Sequence, residues 1–279
     1  MILSIGDLVL DITIVPSGRL RPNDDNPAVI RVGGGGQAAN YCSWVAALGS
    51  PVRLVTRVGD DDRGRRLVSE VEALGVEVFA VSGAEPTGMI AVLVGPNGER
   101  TMATQRGASA GLKPNDLRKP WFRGVNLIHV PSYSLFVEPL AAAARLAIEL
   151  VRSNRGLLSI DLSSVAGLKE YGPARFAADL AELKPDVLFG TTAESETLGV
   201  PMEDLATVPV LKMGAQGCRV AGKHVPSPRV KEVDASGAGD ALAAAFCVAY
   251  LDGATPVEAA EKAVVVASGA VTRAGARPS

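Results

Sequence analysis

Asp240 stands where a catalytic carboxylate would be expected. It follows the small residues Ser236-Gly237-Ala238-Gly239 and precedes a run of good helix formers at 241–246. This pattern predicts a tight loop leading into the first turn of a helix, where backbone N–H groups and the helix dipole hold an anion. A carboxylate there can accept a proton from a hydroxyl while the N–H groups hold a phosphoryl group. Considered alone, the stretch also fits an ordinary capped helix after a glycine-rich turn.

Polar and glycine-rich groups follow several further predicted strands. They are Gly6-Asp7, the glycines at 33–36, Gly59-Asp60-Asp61, Asp161, Glu194 and Lys212-Met213-Gly214. In open parallel sheets, ligands bind beyond the carboxyl ends of the strands. The position of these groups therefore predicts an enzyme whose site lies at that edge of the sheet.

Strands and helices alternate along most of the chain, and they predict the sheet that would carry these groups. Apolar strands are expected at 1–5, 51–58, 76–81, 127–130, 157–161, 187–189 and 208–212, and helices at 37–48, 62–74, 138–153, 173–182, 193–198, 236–251 and 257–271. This spacing predicts an α/β fold with a doubly wound, mostly parallel sheet flanked by helices.

Four other segments predict a small second sheet, a lid that stands off the main body. They lie at 11–15, 28–32, 89–94 and 100–104, within about 11–32 and 89–104 of the chain. Asn97-Gly98 predicts a hairpin turn between the last two segments. The glycines at 33–36 are expected to break the strand that ends at 32. Since the sequence has no internal repeat or linker, we expect residues 1–279 to form one domain that includes the lid.

The composition excludes several classes of protein. With 279 residues, 47% hydrophobic and 21% charged, the chain can bury a large core and is not disordered. Its net charge of -2 and its lack of a basic block predict no nucleic-acid partner. We expect no secretory signal and no membrane contact, because the apolar runs are too short to span a bilayer. Cys42, Cys218 and Cys247 lack metal-binding spacing, which favours a reducing, cytoplasmic location.

Two stretches together resemble a known family. Gly35-Gly36-Gln37-Ala38-Ala39-Asn40 and Asp234-Ala235-Ser236-Gly237-Ala238-Gly239-Asp240 occur in this order, about 200 residues apart, as in the ribokinase-like (PfkB) carbohydrate kinases. The similarity extends over nearly the whole chain. It implies a doubly wound α/β domain with a β-sheet lid over the substrate, and phosphoryl transfer from ATP to a hydroxyl of a sugar-type molecule.

The resemblance also implies roles for particular residues. Asp240 matches the catalytic base, and Gly237, Ala238 and Gly239 match the anion hole that holds the γ-phosphate. The residues that match the substrate contacts are Asp11, Gly35, Gly36 and Asn40. Outside the resemblance, Asp11 fits an ordinary surface strand and Asn40 fits a hydrogen bond at a helix start.

The nucleotide and metal sites follow from the same resemblance. Thr191, Lys212, Gly214 and Gly217 match ATP-binding positions, and Glu194 matches a group that acts on Mg²⁺, either directly or through water. Thr191 replaces the asparagine that is usual there. A monovalent cation, K⁺, is expected beside the anion hole. The residues that match its site are Asp234, Ser236, Ala270, Arg273, Gly275 and Ser279.

The acceptor itself stays open. Ribokinase-type members usually carry asparagine at position 9 and lysine at position 37, where this chain has Val9 and Gln37, which questions ribose as the acceptor. The first hypothesis is an ATP- and Mg²⁺-dependent sugar kinase. The alternatives are a nucleoside or sugar-acid kinase of the same family, and a nucleotide- or sugar-binding protein without turnover. In relatives the lid often mediates dimers, so a homodimer through the lid is a further expectation.

Overall fold

The central feature of the fold is a nine-stranded sheet. The computed structural model describes residues 1–95 and 99–278. Along this part of the chain the strands are β1 (Ile2–Ile5), β2 (Val9–Pro16), β3 (Ala28–Gly35), β4 (Val52–Gly59), β5 (Glu77–Gly83), β6 (Thr87–Val94), β7 (Arg100–Gly107), β8 (Leu127–Pro131), β9 (Leu157–Asp161), β10 (Val187–Thr191), β11 (Val208–Lys212), β12 (Cys218–Val220) and β13 (Lys223–Val225). The central sheet has the order β13-β12-β11-β10-β9-β8-β1-β4-β5. From β11 to β5 every pairing is parallel, and β12 and β13 add an antiparallel edge. The predicted doubly wound, mostly parallel sheet is confirmed.

Helices cover both faces of this sheet. They are α1 (Gln37–Ala47), α2 (Asp62–Ala73), α3 (Tyr133–Phe136), α4 (Leu140–Arg152), α5 (Val165–Tyr171), α6 (Pro173–Leu183), α7 (Thr192–Leu198), α8 (Ala238–Leu251) and α9 (Pro256–Ala270). Because successive strand residues point to opposite faces, Ile2 packs in a core with Phe246 of α8, whereas Leu3 packs in a second core with Phe176 of α6. Within the described residues, no helix is both long and apolar enough to cross a bilayer.

The lid is a separate four-stranded sheet with the order β3-β2-β6-β7. Asp11 pairs with Gly33 on one side and with Ile90 on the other. Asp11 and Ile90 both line the main cavity of the protein. The alternate residues of the same strands therefore face away from it. The lid strands extend beyond the predicted 11–32 and 89–104, to Val9, Gly35, Thr87 and Gly107.

The glycines after position 32 do not break strand β3, and that prediction was wrong. β3 continues to Gly35, paired residue by residue with β2 as far as Val9. A Cβ added to Gly35 would overlap the Asp11 carboxyl group, and one added to Gly34 would overlap the Arg277 guanidinium. These two glycines make room for neighbouring side chains within a regular strand.

Other differences concern short elements. The sequence reasoning missed β12, β13 and the helices α3 and α5, and it began α4 and α8 two residues too early. Three-residue strands carry too little periodicity to be recognised. The antiparallel pairing of β6 with β7 fits the predicted hairpin, although its turn at Asn97-Gly98 lies outside the described residues.

Candidate active site

A cavity of about 1200 Å³ lies between the lid and the carboxyl ends of the central strands. Among the residues named from the sequence, its walls contain Asp11, Gly36, Asn40, Lys212, Gly237, Gly239 and Asp240. Asp161, Arg106 and Arg175 line it as well. The structure thus brings three of the four predicted substrate-binding residues into one space with Asp240, whereas Gly35 and Ala238 do not line the cavity.

Asp240 lies in the first turn of α8. Its Oδ2 accepts a hydrogen bond of 3.1 Å from Asn40 Nδ2, which α1 supplies from the other end of the chain. Burial, together with the negative charge of Asp161, raises the pKa of Asp240 to about 7, against the opposing effects of Asn40, Lys212 and Gln37. A carboxylate with this pKa is suited to accept a proton near neutral pH.

The predicted anion hole is the N-terminus of α8. The helix begins at Ala238 after Gly237, whose φ of 72° lies in the left-handed region. A Cβ at Gly237 would also overlap the Ala276 carbonyl group, so glycine is needed there on two grounds. The N–H groups of a first helical turn have no partner within the helix. A phosphoryl oxygen is a suitable acceptor for them.

Lys212 places a positive charge beside this helix start. Its Nζ lies 3.4 Å from the position that a Cβ on Gly239 would take. Nζ also forms a buried ion pair of 2.5 Å with Asp161 Oδ2. Although burial lowers it, the carboxylates of Asp161 and Glu194 raise the pKa of Lys212 above its usual value. The lysine therefore stays charged at neutral pH, next to the predicted phosphate site.

Asp11 presents an unsatisfied acceptor. Its Oδ1 is buried and has no hydrogen-bond partner among the described residues. Burial raises the pKa of Asp11 to about 6, although the Arg277 guanidinium opposes this shift. A buried carboxylate oxygen without a partner is costly. A ligand hydroxyl that donates to it would remove that cost, as the prediction for Asp11 requires.

Thr191 and Glu194 close the N-terminus of α7. Thr191 N–H donates to Glu194 Oε2 at 2.7 Å, and Glu194 N–H donates to Thr191 Oγ1 at 3.3 Å. This is a capping box, and it occupies only one of the two Glu194 carboxylate oxygens. Thr191 lies in register with Lys212 on the neighbouring strand, so this end of β10 borders the predicted phosphate site.

Gly214 and Gly217 lie just beyond Lys212, in a short turn between β11 and β12. Both have positive φ, of 57° and 96°. A Cβ at Gly217 would overlap the Val225 carbonyl oxygen, whereas one at Gly214 would meet nothing. Neither glycine lines the cavity, and their predicted role in ATP binding stays a prediction.

Part of the predicted K⁺ site is assembled around Asp234. Its Oδ1 accepts the Ser236 N–H at 2.9 Å, and its Oδ2 accepts the Gly275 N–H at 3.0 Å. Although burial raises it, these hydrogen bonds lower the pKa of Asp234 below its usual value. Arg100 Nη2 lies 3.8 Å from Asp234 Oδ1, and Arg100 Nη1 donates to Ser236 Oγ at 2.9 Å.

The remaining predicted K⁺ contacts are less complete. Ala270 is the last residue of α9, and its carbonyl accepts the Arg273 N–H at 3.4 Å. Ser279 lies outside the described residues. Over 1–95 and 99–278, no group of three or more His, Cys, Asp or Glu side chains is arranged to hold a metal ion. Bound Mg²⁺ would consequently depend on phosphate and water oxygens in addition to Glu194.

Three side chains of the site were not predicted from the sequence. Asp161 pairs with Lys212, Arg106 forms an ion pair with Asp7 on the cavity wall, and Arg277 binds Asn40. Asp161 and Asp7 lie at strand ends and were noted for that reason, so their position was a usable signal. Arg277 gave no such signal, because its contact depends on the path of the C-terminal segment.

The fold, the cavity and the half-buried carboxylate at a helix start define a kinase of small molecules. A family model described as pfkB family carbohydrate kinase matches residues 1–279. The chain therefore belongs to the pfkB family of carbohydrate kinases.

Individual relatives agree with this assignment. The chain is 31% identical over 286 residues to the ATP-dependent ribose-1-phosphate kinase of Halopiger xanaduensis, covering 99% of this chain and 93% of that protein. It is 27% identical over 264 residues to a fructokinase of Solanum tuberosum, covering 90% and 81%. An E. coli protein described as a ribokinase II candidate, solved in complex with ATP and Mg²⁺, superposes with a TM-score of 0.84 at 25% identity, covering 99% and 94%.

Proposed function

We propose that this protein transfers the γ-phosphate of ATP to a hydroxyl of a sugar-type molecule, with Asp240 as the catalytic base. The observation that carries the proposal is the position of Asp240. Its half-buried side chain lines the cavity at the start of α8, beside Lys212 and hydrogen-bonded to Asn40. A base, an anion site and a fixed positive charge are the parts that phosphoryl transfer requires.

In the proposed reaction, Asp240 accepts the proton of the acceptor hydroxyl. The hydroxyl oxygen then forms a bond to the γ-phosphorus, and the bond from that phosphorus to the β–γ bridging oxygen breaks, so that ADP leaves. The N–H groups of Ala238 and Gly239 and the ammonium group of Lys212 stabilise the negative charge on the transferred group. Asp11 and Asn40 orient the acceptor through its other hydroxyls.

Mg²⁺ would contribute charge neutralisation at the phosphates. Glu194 suits it in part, because one carboxylate oxygen is outside the capping box and the residue, only 7% exposed, lies near Lys212. Thr191, Gly214 and Gly217 would border the nucleotide beyond the ends of β10 and β11. We also propose that Asp234 helps to hold K⁺, because this carboxylate is ionised and lies beside the predicted anion hole.

Arg175 is the residue of the cavity wall that suits an acceptor with negative charge. The Arg175 guanidinium lies 4.2 Å from the centre of the Tyr171 ring. It forms no ion pair with any other residue that the structure describes. Arg175 is exposed and therefore solvated in the free protein, and a phosphate or carboxylate of the acceptor would replace that water as its partner. Ribose 1-phosphate, named for the Halopiger relative, and a sugar acid are therefore the first acceptors to test, before neutral sugars and nucleosides.

The test is ADP release from Mg-ATP with ribose 1-phosphate, a sugar acid, fructose, ribose and adenosine, with and without K⁺. The proposal predicts acceptor-dependent ADP release with at least one of them. A rise in melting temperature with ATP but no turnover on any acceptor would support a binding protein without catalysis.

Two further expectations complete the proposal. The outward face of the lid carries Ile30 and Val32, which are 62% and 52% exposed, in register with Ile14 and Ile12. A second copy of the chain that covers this apolar face would remove it from water, and we propose a homodimer through the lid. We also propose a cytoplasmic location, since Cys42, Cys218 and Cys247 are free and buried.

A further inference from the structure

Arg277 joins the C-terminal segment to the proposed substrate site. Its Nε donates a hydrogen bond of 3.1 Å to Asn40 Oδ1, and its Nη2 donates one of 2.8 Å to the Gly35 carbonyl oxygen. The guanidinium is also close enough to Asp11 to counteract the effect of burial on the pKa of that carboxylate. Of the residues predicted to bind substrate, Asn40 and Gly35 thus contact Arg277 directly, and Asp11 lies within range of its positive charge.

The contact determines which way the Asn40 amide points. A guanidinium group has only donors. The Asn40 atom that faces Arg277 must consequently be the oxygen, and the nitrogen must face Asp240. In agreement, Asn40 Nδ2 donates to Asp240 Oδ2 at 3.1 Å. Without Arg277, the orientation of the amide would depend on Asp240 alone, and the amide oxygen could turn to accept the proton of Asp240 whenever that carboxyl group is protonated.

The surrounding chain is shaped to hold this guanidinium. Gly34 has no side chain where a Cβ would overlap Arg277. Trp44 Nε1 donates to the Ala276 carbonyl at 2.9 Å, which fixes the preceding peptide. The Gly275 N–H is bound by Asp234 Oδ2 at 3.0 Å. The hydrogen bonds at Gly275 and Ala276 fix the backbone beside Arg277, and the space left by Gly34 accommodates its side chain.

We propose that Arg277 is a positioning residue of the active site, which orients the Asn40 amide toward Asp240. This inference rests on the proposed function. The carboxylates whose charges act on the guanidinium are those of Asp11, Glu70 and Asp240, and the buried Cys42 thiol nearby is neutral. The competing explanation is that Arg277 only anchors the C-terminal segment, in which case its loss would affect stability and no individual kinetic constant.

The first experiment compares Arg277→Gln and Arg277→Lys with wild type in steady-state kinetics. Since Arg277→Gln removes two hydrogen bonds from a charged group, we expect it to raise the KM for the acceptor at least about tenfold. The KM for ATP should stay within about twofold, because Arg277 touches residues of the acceptor side. Arg277→Lys keeps a positive charge and should recover part of the loss. Arg123→Gln is the matched control, because Arg123 is exposed and precedes β8, at the end of the parallel strands opposite the proposed site.

A double-mutant cycle tests whether Arg277 acts through Asn40. If it does, Arg277→Gln should reduce kcat/KM little further in a protein that already carries Asn40→Ala. If the two residues act independently, the two fold-reductions in kcat/KM should multiply. Gly34→Ala offers a second route, because its methyl group displaces the guanidinium without changing any charge. It should reproduce the raised acceptor KM. Equal changes in both KM values, or full additivity with Asn40→Ala, would overturn the proposal.

A measurement without turnover separates this inference from the proposed function. In ¹⁵N-labelled protein, the Asn40 side-chain amide is identified by its loss in Asn40→Ala. We expect its resonance to shift and its hydrogen exchange to accelerate in Arg277→Gln, but not in Arg123→Gln. An unchanged resonance would refute the positioning role, whereas a lack of kinase activity in wild type would refute the proposed function alone.

Discussion

The side-chain amide of Asn40 and the carboxylate of Asp240 are hydrogen-bonded at 3.1 Å, although 200 residues separate them in the sequence. Asn40 comes from α1, next to the lid, and Asp240 from the first turn of α8. The hydrogen bond lowers the pKa of a carboxylate that burial and Asp161 raise. It therefore links the proposed acceptor site to the protonation of the proposed base.

The first prediction concerns pH. Asp240 must be ionised to accept a proton, and its pKa is raised to about 7. Since kcat/KM reports the free enzyme, we expect it to be high above pH 7 and to fall as the pH drops through that value. Asn40→Ala removes a hydrogen-bond donor that stabilises the ionised Asp240 carboxylate. The fall in kcat/KM should therefore begin at higher pH. Asp161→Asn removes a repulsive charge and should move it to lower pH. The same pH dependence of kcat/KM in all three proteins would contradict the assignment of Asp240 as the base.

The second prediction concerns Gly237 of the predicted anion hole. Gly237→Ala introduces a Cβ at a positive φ and against the Ala276 carbonyl. The backbone strain alone is about 1–2 kcal/mol, and relieving it would move the helix start. We expect kcat to fall at least about tenfold. Gly222→Ala is the control, since Gly222 has the same φ of 72° but lies outside the cavity wall, and a Cβ there would meet nothing. Comparable activity of the two variants would argue against a strict requirement at Gly237.

The third prediction concerns monovalent cations. If Asp234 helps to hold K⁺, turnover should rise when tetramethylammonium is replaced by K⁺ at constant ionic strength. Asp234→Asn should remove most of this response, because it removes the negative charge. Arg100 already lies 3.8 Å from Asp234 Oδ1, so Arg100→Gln should strengthen the response. The same rate in both salts would eliminate the K⁺ site.

The fourth prediction concerns assembly. Charged residues in place of Ile30 and Val32, on the outward lid face, should convert a dimer into a monomer in sedimentation velocity. Met102 is also exposed, at 61%, but it lies in register with Val92 on the cavity side of the lid. Met102→Glu should therefore leave the dimer intact. A monomeric wild-type protein at micromolar concentration would exclude the proposed dimer.

Much of the fold could be predicted because its elements are periodic. The strand at 208–212 was located to the residue, and the helices at 62–74 and 173–182 to within one residue. Each has a strong apolar pattern, and its ends are marked by glycine, proline or an acidic residue. The strands β12 and β13 were missed because three residues each are too few to show a pattern.

The site could be predicted only where the local sequence carries the chemistry. The segment that ends in Asp240 combines small residues, a carboxylate and a helix start, and the structure places it in the cavity. The strand-end position of Asp161 was a usable signal, but its pairing with Lys212 and the contact of Arg277 with Asn40 are tertiary, and no local pattern encodes them. The glycines 33–35 were misjudged for the same reason. Gly34 and Gly35 provide clearance for Arg277 and Asp11, which is visible only once those side chains are in place.

The most direct test of the account compares wild type with Asp240→Asn. ATP binding is measured by calorimetry, and phosphoryl transfer is measured with the best acceptor from the panel. Because the variant keeps the size of the side chain but cannot accept the proton, we expect ATP affinity to be nearly unchanged. The rate of transfer should fall by about 10²–10⁴-fold. Turnover close to that of wild type in Asp240→Asn would show that another group is the base.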